Sequence, residues 1–253
     1  MAIGVLSGLL GLGGGVILMP ILFWLYSHSH LLNNQEALYL AIHTSLFIIL
    51  TGSIMNVRAQ YKMKRINWPI IRALFPGLLL GSLFGLYLSR IIHYQYLAII
   101  TGITLILIAM SMLIRRSFYV NELKTNKFKL LLTGLCVGTP SALMGIGGGS
   151  LMIPVLNHQG LHISRTAAIA STSTFIISFV AVTSLSLATL IHQPHTHALI
   201  ALFDWKTIAL MAPGMILGTN LGAKHLEHVP MTFLRILFIT ILLISALHLL
   251  KIF

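Results

Sequence analysis

Long apolar stretches alternate with short polar ones along the chain, and several run without a charge for the length a bilayer requires. About 20 residues of helix cross roughly 30 Å of hydrocarbon. Ala37 to Val57, Tyr94 to Ile114 and Thr166 to Ile191 meet that length with no Asp, Glu, Lys or Arg. Ala73 to Ser89 and Thr207 to Ala223 are shorter, and Met231 to Leu250 is interrupted only by Arg235. Met1 to Ser27 and Leu130 to Asn157 are long and rich in glycine. The pattern predicts an all-α, polytopic membrane protein of about eight transmembrane segments.

Composition agrees: 57% of residues are hydrophobic and 8% are charged, where a soluble domain carries about a quarter charged residues. The formal charge of +12 could suggest nucleic-acid binding. The basic residues instead cluster between apolar runs, where lipid headgroups account for them, so no nucleic-acid partner is expected. The acidic residues Glu36, Glu122, Asp204 and Glu227 fall at or outside segment ends. Cys136 is the sole cysteine, which excludes an intramolecular disulfide and a multi-cysteine cluster. His28, His30, His192, His195 and His197 have no carboxylate or cysteine nearby except Asp204, so they read as loop residues and no metal or cofactor is expected. The N-terminus lacks the basic region of a cleavable signal, and its abrupt apolar start is compatible with further residues upstream.

The chain matches itself. GLGGGVILMPIL from Gly11 pairs with GIGGGSLMIPVL from Gly145, and the same register pairs Ser7 with Ser141. HTSLFI from His43 pairs with STSTFI from Ser171, and Trp68, Pro76, Gly77, Gly81 and Gly85 pair with Trp205, Pro213, Gly214, Gly218 and Gly222. Residues shared in this order define two four-segment repeats, 1–116 and 130–253, around a basic linker at 117–129. The second copy carries an insertion in the stretch that holds His192, His195 and His197.

Two G-x-G-G-G-x4-P motifs, each followed by a Thr-Ser helix and a W-x7-P-G-x3-G helix, resemble the sulfite exporter TauE/SafE family over nearly the whole chain. The resemblance implies a transporter of sulfite, sulfonates and related organosulfur anions, multi-pass in a bacterial inner membrane. His43 departs from the small residues that relatives usually place before the Thr-Ser pair.

The residues themselves indicate where an anion could be held. Three successive glycines, Gly13, Gly14 and Gly15 in segment one and Gly147, Gly148 and Gly149 in segment five, weaken a helix by about 1 kcal/mol each relative to alanine. With Pro20 or Pro154 following, both segments are expected to break there. A break inside a membrane segment exposes backbone N–H groups and the positive end of a half-helix, which bind an anion without a formal charge. Thr44, Ser45, Ser171, Thr172 and Ser173 are candidates to complete the site with hydroxyls, the alternative being bonds to the preceding turn of their own helix. Asn56 and Asn220 are further polar candidates. Gly77, Gly81 and Gly85, with Gly214, Gly218 and Gly222, have the four-residue spacing of packing ridges. His43 is the candidate proton-coupling group, a structural histidine being the alternative.

Basic loops mark the cytoplasmic face, which places Arg58, Lys62, Lys64 and Arg65, and also Arg115, Arg116, Lys124, Lys127 and Lys129, on that side. Two arrangements stay open. Eight full spans give parallel repeats and a cytoplasmic loop after segment six. Re-entrant glycine-rich segments give inverted repeats and an outward loop. An enzyme is not expected, since GTPSALMG around Ser141 lacks the nucleophile motif of a serine hydrolase. A small anion in the bilayer is the expected partner, a homo-oligomer stays open, and a metal-cation transporter or a non-transporting assembly protein are the competing readings.

Overall fold

The computed structural model describes residues 14–28, 32–113, 126–158, 163–192, 202–225, 236, 239–240 and 242–247. They form α1 (Gly15–Ser27), α2 (Asn34–Lys62), α3 (Trp68–Ile91), α4 (Tyr94–Leu113), α5 (Lys127–Leu143), α6 (Gly149–His158), α7 (Ile163–His192) and α8 (Trp205–His225), with residues 242–247 also helical. Several helices start where polar side chains supply acceptors for N–H groups at the helix start. Asn67 accepts from the N–H of Ile70, and Asn126 from that of Phe128. Glu36 reaches back to the N–H of Asn33.

Among the described residues, four helical stretches, residues 34–62, 68–91, 94–111 and 165–191, are long and apolar enough to cross a membrane. The outer surface is apolar: Leu80, Phe84, Tyr87, Leu107, Met110, Leu187 and Leu210 are each more than half exposed. The interior holds polar side chains, among them Ser45, Asn56, Gln60, Ser141 and Ser173, at 1% exposure or less. An apolar exterior around buried polar groups is stable in lipid, where the hydrocarbon solvates the outside. The chain is an all-α polytopic membrane protein. Between α2 and α3, Tyr61 meets Trp68 edge-on at 6.4 Å beside Lys62, Lys64 and Arg65, the aromatic and basic pairing of a membrane interface.

The ridge glycines of the first copy do pack. A Cβ on Gly77 would lie 2.0 Å from the Leu131 carbonyl oxygen, and one on Gly85 would lie 2.2 Å from that of Thr139, with Gly81 against Leu135 between them. From the other side, Gly134 faces the Leu74 carbonyl and Gly138 that of Leu78. Only residues without a side chain let two backbones approach so closely. Because the contacts advance together, α3 and α5 run in the same direction.

A second pair is also parallel. Near its start α8 meets Thr44 of α2, through the N–H of Asp204 donating to Thr44 Oγ1 at 3.1 Å. Further along, Gly52 of α2 packs on Met215 and Thr219 of α8. Gly85 of α3 and Ser45 of α2 both lie beside the end of α5, at Leu143 and Gly145, and they are equally far from the connection at 63–67, so α2 and α3 are antiparallel. The start of α5 is therefore on the side of that connection and the start of α8 on the opposite side.

Candidate functional site

The predicted break in segment five is present: α5 ends at Leu143 and α6 begins at Gly149. Gly145, Gly147 and Gly148 have φ of 68°, 81° and 79°, left-handed values that side-chain-bearing residues adopt only with strain. In segment one, Gly14 has φ of 71° at the start of α1. Gly13 lies outside the described residues.

The two glycine motifs meet in space. A Cβ on Gly15 would be 2.2 Å from the carbonyl oxygen of Ile146, between Gly145 and Gly147. Ile49 of α2 packs against both Gly15 and Gly147, while Thr174 and Ile177 of α7 pack against Gly147 and Gly148. The self-match of the sequence pairs Ile49 with Ile177, so matched residues of the two copies flank the same turn. Ser45 Oγ donates to the carbonyl of Gly145 at 2.9 Å while also lying 2.8 Å from that of Ile42 in its own helix.

α6 begins at this junction with ten residues of helix. The Met152 N–H bonds to the Gly148 carbonyl and the Gly149 N–H to that of Gly147. First-turn N–H groups of a helix have no intrahelical acceptor and concentrate positive partial charge. Around this end the hydroxyls of Ser141, Ser150 and Ser173 are buried and have no hydrogen-bond partner among the described residues. Ser141 Oγ lies 3.4 Å from where a Cβ on Gly148 would stand, Ser150 is the second residue of α6, and Ser173 is one turn before Ile177 on the same face of α7. Helix-end N–H groups and hydroxyl donors together form a receptor for an oxyanion.

The sequence candidates divide around this junction. Ser45 supports its backbone and Ser173 presents a buried hydroxyl near it. Ser171 and Thr172 donate to the carbonyls of Ala167 and Ala168 at 2.7 and 2.9 Å, the self-bonding of apolar helices. Thr44 is engaged elsewhere, with Asp204. His43 is half-buried in α2, near the backbone of Leu202 and the charge of Arg90. Asn220 is exposed and Asn56 is buried in α2. Ser150 was not legible as a candidate, because its partner position in the first copy is Val16. Ser141 carried a signal in its pairing with Ser7.

A second polar cluster also escaped the sequence reading. Asp204 precedes α8 and accepts from the N–H groups of Lys206 and Thr207 at 3.1 Å each, from the Thr207 hydroxyl, and from the Tyr26 hydroxyl at 2.9 Å. Burial works against its charge, but the Thr207, Tyr26 and Lys206 donors outweigh that and hold the carboxyl below its ordinary range. An Asp ahead of Lys-Thr and an apolar run is an N-cap signal that sequence could have supplied. Among the described residues no group of three His, Cys, Asp or Glu gathers to hold a metal. His30, His195 and His197 lie outside them.

Apolar outer faces, buried polar side chains and two glycine motifs that meet in the interior, the second at a break between α5 and α6, define a polytopic membrane transport protein. The family model for the sulfite exporter TauE/SafE matches residues 1–249, and the chain belongs to that family. It is 28% identical over 255 residues to a probable membrane transporter protein of Methanocaldococcus jannaschii, covering 98% of this chain and 91% of the relative. It is 28% identical over 239 residues to a probable membrane transporter protein of Bacillus subtilis, covering 87% and 83%. No solved structure matches it.

Proposed function

We propose that the chain carries a small organosulfur oxyanion, sulfite or a sulfonate, across a bacterial inner membrane, and that the anion is held where the two glycine breaks meet. The observation that carries this reading is the start of α6 beside three buried hydroxyls, Ser141, Ser150 and Ser173, which have no partner among the described residues. Donors collected at a helix start stabilise negative charge, and held by dipoles rather than by a fixed cation the anion can also leave. Gly14, Gly15, Gly147, Gly148 and Gly149 supply the close backbone approach, and Ser45 secures the Gly145 carbonyl. Thr44, Ser171 and Thr172 contribute to the shape of the surrounding helices. Inverted halves, each with a re-entrant glycine-rich segment, fit the helix directions better than eight full spans. His43 is the proposed proton-coupling residue.

The test is sulfite flux in proteoliposomes. Gly148→Ala puts a side chain at φ of 79° and 2.3 Å from Ile177 Cδ1. Flux is expected to fall at least about tenfold while the protein remains folded, and the rise in melting temperature with sulfite is expected to disappear. His43→Gln is expected to transport with a flattened pH profile. Flux and sulfite-induced stabilisation unchanged by Gly148→Ala would reject the site.

A further inference from the structure

α2 carries a single buried stripe from the glycine junction toward its basic end. Ser45, Ile49, Ser53, Asn56 and Gln60 follow at three- or four-residue steps, so they share one face, and each is 1% exposed or less. Ile49 touches Gly15 and Gly147 at the upper end of the stripe. Beside it Gly52 faces Met215 and the fully buried Thr219 of α8. At the lower end both amide atoms of Gln60, Nε2 and Oε1, have no hydrogen-bond partner among the described residues. A buried carboxamide that has lost its water without gaining partners is unfavourable, and such a group in a native interior calls for an explanation.

The self-match shows that the amides are specific to this arm. Ser45 and Ile49 correspond to Ser173 and Ile177, but Ser53, Asn56 and Gln60 correspond to Ala181, Ser184 and Ala188 of α7. The amide-bearing arm leads to the end of the molecule where Lys62, Lys64 and Arg65 stand exposed or half-buried, a concentration of positive charge that attracts anions.

We propose that Gln60 is a station for the anion between the basic cytoplasmic face and the glycine junction, with the Nε2 hydrogens donating to its oxygens. The ligand class is a small oxyanion, and the inference rests on the transport reading above. A carboxamide suits a station that is passed through, because it donates hydrogen bonds without a fixed charge that would trap the ion. Asn56, one turn further in, continues the line toward Ser53 and Ile49.

The experiment uses the full chain in a Cys136→Ala background carrying Gln60→Cys, in inside-out and right-side-out membrane vesicles. Two thiol reagents of similar size are compared, sulfonatoethyl methanethiosulfonate and its trimethylammonioethyl analogue, with rates corrected for their reactivity toward a free thiol. Labelling is expected from the cytoplasmic face, about tenfold faster with the sulfonate reagent, and slowed by added sulfite. No labelling from either face, or equal rates for the two charges, overturns the station. Gln60→Met in the otherwise unchanged protein keeps the side-chain volume and removes the donors. It should raise the half-saturating sulfite concentration on the cytoplasmic face about fivefold, as expected for a lost hydrogen bond, and an unchanged value also counts against Gln60. Absence of sulfite flux in the parent together with sulfonate-selective labelling would remove the transport reading and leave an anion-accessible station. Normal flux without labelling would remove the station alone.

Discussion

The Tyr26 hydroxyl donates a 2.9 Å hydrogen bond to Asp204 Oδ2 and so ties the last turn of α1 to the start of α8. α1 begins at the glycine break, so this bond fixes the far end of the half-helix whose near end, at Gly15, touches Ile146.

The Asp204 carboxyl is held below its ordinary range, and this gives stability a defined pH dependence. Above the unfolded value of about 3.9 the charged form is favoured by the fold. As pH falls through the lower folded value, that contribution is lost, because the unfolded chain takes up the proton more readily. The melting temperature of the purified protein is expected to fall on acidification, and Asp204→Asn should lower it at neutral pH while reducing the acid dependence. Tyr26→Phe should cost about 1 kcal/mol, the usual worth of one hydrogen bond. An acid profile identical in Asp204→Asn and parent would show that the cluster is not the sensitive element.

The parallel course of α2 and α8 sets the faces to which their ends belong. With Cys136→Ala as background, Lys62→Cys is expected to react with an impermeant maleimide only in inside-out vesicles, and Lys206→Cys only in right-side-out ones. Both positions are exposed. Labelling of both from one face would restore eight full spans and parallel repeats.

The glycines of α3 should differ from Gly52 in their tolerance. Gly77→Ala places a methyl 2.0 Å from a backbone oxygen that cannot move without separating α3 from α5. A loss of about 2 kcal/mol or more, or failure to fold, is expected from such overpacking. Gly52→Ala meets the Met215 side chain, which can repack, and should cost less. Thermal unfolding in detergent measures both, and equal losses would contradict the close approach of α3 and α5.

Two classes of hydroxyl should separate in anion binding. Ser173→Ala and Ser141→Ala remove donors that have no partner among the described residues and should weaken sulfite binding about fivefold each, near 1 kcal/mol. Ser171→Ala and Thr172→Val remove groups already bonded to their own helix and should leave affinity near that of the parent. Titration by the sulfite-dependent rise in melting temperature reads all four. Equal effects in the two classes would place the anion elsewhere.

Sequence by itself determined the solvent, the helical class, the break in segment five and the close-packing glycines of α3. Each follows from a local property: uncharged runs of bilayer length, glycines able to take positive φ, and small residues at one-turn spacing. Thr44 and Ser45, adjacent in one motif, shared a predicted role, yet they point about 100° apart around α2, so one meets Asp204 and the other Gly145. Likewise Ser171, Thr172 and Ser173 looked equivalent, yet Ser171 and Thr172 bond to their own helix while the buried Ser173 hydroxyl has no partner among the described residues. The meeting of Gly15 with Ile146 and the shared direction of α2 and α8 were legible in no segment. Rotation of a helix about its axis and the pairing of distant segments depend on the packing of all the helices together, and only the tertiary structure decided them.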